Sequence, residues 1–308
     1  MKLHQFRDLL AVAETGSLRA AARHLGLAQP VITRSIQELE RELGIPLFER
    51  HAKGVALTES GKTFVRRVEA FQADLQRARE EIAQSNGHLV GEITVAFSAM
   101  VCLTLLPRIV KHFYKKYPKV VLKISESMFQ EVESSLENGL IDFWVGPLDT
   151  SIRYPRLSIE CLFDTSRRVV GRKNHPLQFA HSLSDLAEAS WVRPAISKRN
   201  TESDFDKVFE KAELPPPQIM FQSGSPLITM LTVANTDFLT MLPQHILALP
   251  TVSELVRPFN NIDPFFSPSI CCAKRYGLPL TPAAEYLCDL IRKLVLNHIL
   301  EDTAGAWP

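Results

Sequence analysis

Apolar residues recur at helical spacing from the start of the chain, with Leu3, Phe6, Leu9, Leu10 and Ala13 marking a first helix over residues 2–14. Thr15-Gly16-Ser17 ends it, because glycine tolerates a left-handed helix end and Ser17 is a good cap for the next helix. That second, short helix runs from Leu18 to Leu25 and buries Leu18, Ala21, Ala22 and Leu25. After the turn at Gly26-Leu27, a third opens at Gln29-Pro30, where proline loses nothing because a first-turn N–H has no helical partner. Its buried stripe is Ile32, Ile36, Leu39 and Leu43. Residues 49–58 then read as a small hairpin with a basic tip. Two short helices joined by a tight glycine turn, with a hairpin after them, predict a winged helix-turn-helix over residues 1–58.

From Glu59 to Asn86 the pattern predicts one long helix. Phe64, Val68, Phe71, Leu75, Ala78 and Ile82 alternate steps of four and three, the a/d seam of a coiled coil, with charged residues between. A helix lying on its own domain is the competing reading, but it would carry a wider apolar stripe. Residues 59–88 are therefore expected to be a linker helix that dimerises. Beyond Gly87 the texture changes to strands alternating with helices: strands at 93–97, 120–124, 143–145, 219–221 and 238–241, and helices at 103–116, 132–138 and 227–234, closed by a helix from Pro282 to Leu300. That rhythm predicts an α/β unit with a largely parallel sheet. Its length suggests two lobes, lobe I over 89–162 and 268–300 and lobe II over 163–267.

Composition narrows the class. Of 308 residues, 45% are hydrophobic and 22% charged, the balance of an ordinary globular protein. No run approaches the length needed to span a bilayer, and charge breaks up any apolar signal core at the N-terminus, so a cytoplasmic protein without a membrane partner is expected. Residues 1–88 carry 13 Lys and Arg against 11 Asp and Glu, too slight an excess to argue nucleic-acid binding from charge alone. Placement argues it instead. Gln29, Pro30, Thr33, Arg34 and Gln37 occupy the first turns of the third helix, the part of a recognition helix that enters the major groove. Glutamine pairs with adenine, arginine with guanine or phosphate, and proline or the threonine methyl touches a thymine methyl. Arg50 and Lys53 at the hairpin tip suit phosphates or an adjacent minor groove. Ser17 completes the expected DNA-contacting set, and solvated surface is the bland alternative for any one of these residues.

No catalytic residue, cofactor or metal is assigned. The five cysteines and nine histidines lack metal-type spacing, and no nucleophile elbow or phosphate loop occurs. Cys102 is a candidate redox sensor, while Cys271-Cys272 sits in an apolar strand and reads as core.

The runs Gly16-Ser17-Leu18-Arg19-Ala20-Ala21-Ala22 and Gln29-Pro30-Val31-Ile32-Thr33-Arg34-Ser35-Ile36 closely resemble the LysR-type transcriptional regulators. Leu39-Glu40-Arg41-Glu42-Leu43-Gly44, Pro46-Leu47-Phe48-Glu49-Arg50 and Leu57-Thr58 continue the match, and weaker echoes such as Leu106-Pro107, Tyr117-Pro118 and Thr281-Pro282-Ala283-Ala284 extend it along the chain. Ala28 departs from it, since members often carry a capping serine there; the loss is worth about 1 kcal/mol. The resemblance implies double-stranded promoter DNA as partner, a homodimer through the long helix assembled into a homotetramer, and a periplasmic-binding-protein-like effector domain holding a small molecule between its lobes. Carried onto this chain, it places Ser98, Ala99 and Met100 at the mouth of the helix after the first strand, where a carboxylate is favoured. It places Phe129 on a second wall, Thr201 on the opposite lobe and Ser223 at the cleft border. Core packing competes for Met100 and Phe129. Peroxide-sensing members use a cysteine pair in the second lobe, and residues 190–220 contain no cysteine. A redox-responsive regulator acting through Cys102 is one alternative; a solute-binding or enzymatic α/β protein with a helical extension is another.

Overall fold

The structure, a computed structural model, describes residues 1–51, 54–194 and 204–303. It divides into two compact units, Met1–Ile82 with the turn Asn138–Leu140, and the remainder.

In the first unit, α1 (Leu3–Thr15), α2 (Leu18–Leu25) and α3 (Gln29–Leu43) are followed by β1 (Phe48–His51), β2 (Gly54–Leu57) and α4 (Glu59–Ser85). Gly16, Gly26 and Gly44 each end a helix in the left-handed conformation, at φ 63°, 65° and 71°. Ser17 caps α2 by accepting from the Ala20 N–H. The caps are spaced so tightly that Leu9, Val12, Ala21, Ile32, Ile36, Leu39 and Leu47 meet in one core. Truncating one of these large side chains to alanine costs about 2–5 kcal/mol.

The second unit begins with β3 (Val90–Phe97), α5 (Ala99–Thr104), α6 (Leu106–Lys116), β4 (Lys119–Glu126), α7 (Phe129–Glu137), β5 (Phe143–Pro147) and β6 (Leu157–Arg172). It continues through β7 (Ser190–Pro194), α8 (Asp204–Lys211), β8 (Gln218–Ser223), α9 (Pro226–Ala234), β9 (Thr240–Pro243), α10 (Gln244–Leu247), α11 (Pro250–Ser253), β10 (Val256–Pro258), β11 (Phe265–Arg275) and α12 (Pro282–Thr303). The helix expected over 103–116 is broken in two: Pro107 sits in the first turn of α6, and Leu105 separates it from α5.

The sheet corrects the largely parallel expectation. Its order is β10-β6-β11-β5-β3-β4, with β9 also on β6. Only β3 pairs in parallel within it, with β4 and β5, whereas β11 runs antiparallel to β5 and β6, and β6 antiparallel to β9 and β10. The two long strands explain this. The 16-residue β6 pairs with β11 at one end and with β9 and β10 at the other. Both β6 and β11 thus run from one half of the unit to the other, with a bulge in β11 between Ser267 and Ile270. One half packs Ala96, Phe129, Val132, Trp144 and Leu157 together; the other packs Val169, Leu186, Trp191, Phe205 and Phe209.

Candidate DNA-reading face and effector cleft

Within α3, Gln29, Thr33 and Gln37 fall at four-residue spacing on one face, with Pro30 and Arg34 beside them. Gln29, Pro30, Arg34 and Gln37 are exposed, and Thr33 is half-buried with its hydroxyl donating to the Gln29 carbonyl at 3.0 Å. The opposite side of the helix is Ile32, Ser35, Ile36 and Leu39, all buried, so the polar face is forced outward. Ala28 makes no side-chain cap, as its lack of an oxygen requires.

Arg34 is held in place by its neighbour. Its Nε donates to Glu38 Oε1 at 2.8 Å, one helical turn on, while the arginine remains 82% exposed. That hydrogen bond holds the Glu38 carboxyl below its usual pKa.

The wing is anchored by backbone. The Val55 N–H donates to the Gly16 carbonyl at 2.9 Å, tying β2 to the α1–α2 turn. Gly54, at φ +145°, lies so close that a Cβ there would meet the Gly16 oxygen at 2.4 Å. Glu40 accepts from the N–H groups of Leu47 and Phe48 at 2.7 and 3.1 Å, clamping the turn from α3 into the wing. These ties form a groove lined by Ser17, Arg19, Gln29, Thr33, His51 and Val55, among others. Arg19 and His51 are additions that the sequence pattern missed. Arg19 had a usable signal, since it lies in the first turn of α2, the helix preceding α3. His51 joins the groove only through the β1–β2 pairing. Arg50 lies on β1 opposite Val55, and Lys53 lies outside the described residues.

Part of the expected α4 seam is taken up inside the first unit. Val68 is buried in that unit's core and Phe64 packs against it, with Phe6 edge-on to Phe64 and Phe71 at centroid distances of 6.2 and 5.9 Å. Further along α4, Leu75 is half-buried, while Phe71, Ala78 and Ile82 are exposed, Ile82 by 65%. The competing reading, a helix on its own domain, therefore holds for Phe64 and Val68 and in part for Phe71, while Ala78 and Ile82 lie exposed further along the helix.

In the second unit Ser98 ends β3 and precedes α5. It is 5% exposed, its N–H donates to the Val145 carbonyl at 2.9 Å, and its hydroxyl meets no hydrogen-bond partner among the described residues. Ala99 is half-exposed beside it. Two expected wall residues are core instead. Met100 is 5% exposed in the main cluster, with Thr104 hydrogen-bonded to its carbonyl. Phe129 opens α7, and its ring packs edge-on against Trp144 and Tyr154 at 5.1 and 5.0 Å. Ser223, 9% exposed, both accepts from the Ser225 N–H and donates to the Ser225 carbonyl, so its hydroxyl is spent on the turn into α9. Thr201 lies outside the described residues.

Polar groups that no local pattern marks occur where the halves of the unit adjoin. The short α10 packs against α5 and β6. From it, His245 meets Thr165 Oγ1 at 3.1 Å through Nδ1 and stacks edge-on to Phe163, while Gln244 accepts from Ser166 at 3.1 Å. Cys102, one turn into α5, is pushed up to about 11 by burial and then by the negative charge of Glu126, so it is a protonated, weakly nucleophilic thiol. Among the described residues no cluster of metal-ligating side chains occurs, and no helix is long and apolar enough to cross a membrane.

Comparison with known proteins decides the family. The family described as "Bacterial regulatory helix-turn-helix protein, lysR family" matches residues 3–62, and "LysR substrate binding domain" matches residues 86–295. The chain belongs to the LysR family. It is a DNA-binding transcriptional regulator with an effector-binding domain, and its relatives are regulators rather than enzymes. The HTH-type transcriptional regulator TdcA of Escherichia coli is 25% identical over 232 residues, 75% of this chain and 74% of its own. The HTH-type transcriptional regulator GalR of Pseudomonas putida is 26% identical over 288 residues, 93% of this chain and 72% of its own. In fold, this LysR chain resembles full-length CbnR complexed with its target DNA, with a TM-score of 0.70 at 21% identity over 95% of this chain and 99% of that one.

Proposed function

We propose that this regulator reads promoter DNA with the exposed face of α3, using Gln29, Pro30, Thr33, Arg34 and Gln37, while Ser17, Arg50 and Lys53 contact the backbone. The observation that carries this reading is the α3 face itself: a row of exposed polar side chains, backed by a buried apolar stripe and flanked by a wing tied down through Gly16. CbnR, with the same fold, has been captured on its target DNA. Two readers are joined through α4, whose exposed Phe71, Ala78 and Ile82 supply an apolar edge suited to a second copy. Two such dimers form the tetramer that spans an inverted-repeat site in the cytoplasm.

The second unit senses a small organic acid between its halves. A buried, unpartnered hydroxyl at Ser98 supports this, because such a group costs stability unless something accepts or donates a hydrogen bond there. A bound carboxylate oxygen would do so. The effector would shift the population between two arrangements of the unit, and it does this only to the extent that it prefers one of them.

Nuclease footprinting of the upstream intergenic region tests the DNA reading: an inverted repeat should be protected, and uniform weak protection would overturn it. A thermal-shift screen with small carboxylates tests the sensing. A hit should raise the melting temperature by an amount that grows with the logarithm of ligand concentration over Kd, and Ser98→Ala should blunt it. An undiminished shift in that variant would move the site elsewhere.

A further inference from the structure

Four of the five cysteines stand in two close pairs, one on each face of the β6–β11 ladder. Cys271 and Cys272 are consecutive in β11, so their side chains leave the sheet on opposite sides. Cys272 lies 3.9 Å from Cys288 of α12, sulfur to sulfur, and both are buried. Cys271 lies directly opposite Cys161 of β6 in the antiparallel register, with the two sulfurs 3.3 Å apart. This second pair differs in one respect that matters chemically: Cys161 is exposed while Cys271 is fully buried.

We infer that Cys161 and Cys271 form an oxidative modification site, closing a cross-strand disulfide when the protein meets a hydroperoxide. Directly opposed residues on antiparallel strands have Cα atoms about 4.5–5.5 Å apart, inside the range a disulfide accepts. Bond formation therefore needs the sulfurs to approach by little more than a rotamer adjustment. The roles of the two thiols come from their surroundings. Burial, and then the hydrogen bond to Cys161, push Cys271 up to about 12, so it stays protonated and donates its S–H toward the Cys161 sulfur. Cys161 is the sulfur that solvent, and so a peroxide, reaches.

The Cys161 thiolate attacks one peroxide oxygen. The O–O bond breaks, hydroxide leaves and takes up a proton as water, and Cys161 becomes a sulfenic acid. The Cys271 sulfur then attacks Cys161 Sγ and gives up its proton as the S–O bond breaks and a second water leaves. Two thiols lose two electrons, and one hydroperoxide is reduced; with hydrogen peroxide both products are water. The bond closes at the irregular stretch of the β6–β11 register, which shifts between Ser267 and Ile270 and again between Ile270 and Cys271. Cys102 has no part in this. Its sulfur has no cysteine partner among the described residues, and it is held as a thiol at neutral pH.

The test treats reduced full-length protein with about one equivalent of hydrogen peroxide, alkylates the remaining thiols, and digests without reductant. Mass spectrometry should recover the Cys161 and Cys271 peptides as one species lacking two hydrogens, lost on adding dithiothreitol, with fragmentation separating Cys271 from Cys272. Cys161→Ser, an exposed and structurally mild change, should abolish that species and leave Cys271 alkylatable under denaturing conditions. Cys271→Ser should raise dimedone trapping of a Cys161 sulfenic acid several-fold. Cys161 and Cys271 both recovered as free thiols, oxidation confined to Cys102, or a Cys161 linkage found only between two chains would each overturn the assignment.

Discussion

The first unit places its candidate functional residues by local rules, whereas the second places them by contacts between residues far apart in the chain. In the first, Gly16, Gly26 and Gly44 end helices where the chain must turn, Ser17 caps the next helix, and a four-residue spacing turns Gln29, Thr33 and Gln37 to one face. In the second, Thr165 meets His245 from 80 residues away, and Cys161 meets Cys271 across 110. A reader of DNA benefits from a rigid, locally specified helix. A sensor gains from joining two halves through long strands, since what changes is how those halves sit about a ligand.

The largest effects should separate the units cleanly. Phe129→Ala should destabilise the second unit by about 3–5 kcal/mol, the cost of emptying an aromatic site in a packed core. All three tryptophans, Trp144, Trp191 and Trp307, lie beyond residue 143, so urea unfolding monitored by tryptophan fluorescence reports on this unit. A variant of unchanged stability would show that Phe129 faces a cleft after all. Gly61→Ala should cost the first unit about 2–3 kcal/mol, because its Cβ would meet the Leu47 carbonyl oxygen at 2.0 Å and the backbone must shift. Amide exchange should accelerate across α1–α3 while the tryptophan transition stays put. A shift in that transition would mean that the two units do not unfold independently.

A smaller effect concerns pH. Cys102 titrates at about 11 when folded, above its ordinary 9.0. A group whose folded pKa is raised contributes stability below its unfolded pKa and loses it as pH rises through the folded value. The melting temperature of the second unit should therefore decline between about pH 9 and 11, and less steeply in Cys102→Ala. Identical profiles would place Cys102 in a more solvated setting than the structure does.

The same contrast explains which features were legible in the sequence. Helix ends, the α3 polar face, the wing and the long α4 are written in short-range spacing and in glycine and serine positions. The first turns of α4 misled because an a/d seam and a helix docked on its own domain share their apolar positions; only the core around Leu9 and Leu47 shows where Phe64 and Val68 go. Phe129 misled because a loop aromatic faces a ligand or a core depending on distant partners, here Trp144 and Tyr154. The antiparallel β6 and β11 escaped for a similar reason. Alternating strands and helices suggest parallel pairing, and nothing local announces that a 16-residue strand will carry three different partners.

The claim at the centre is that α3 reads bases. Fluorescence anisotropy of labelled DNA, comparing the protected upstream site with a scrambled duplex at fixed salt, measures this for the natural chain and for Arg34→Ala. Losing one base-reading arginine should narrow the affinity ratio between the two duplexes by about 1–3 kcal/mol, with a much smaller change on the scrambled DNA. An equal loss on both duplexes would reduce Arg34 to a phosphate contact. Unchanged affinity on both would contradict the assignment of α3 as the reading helix.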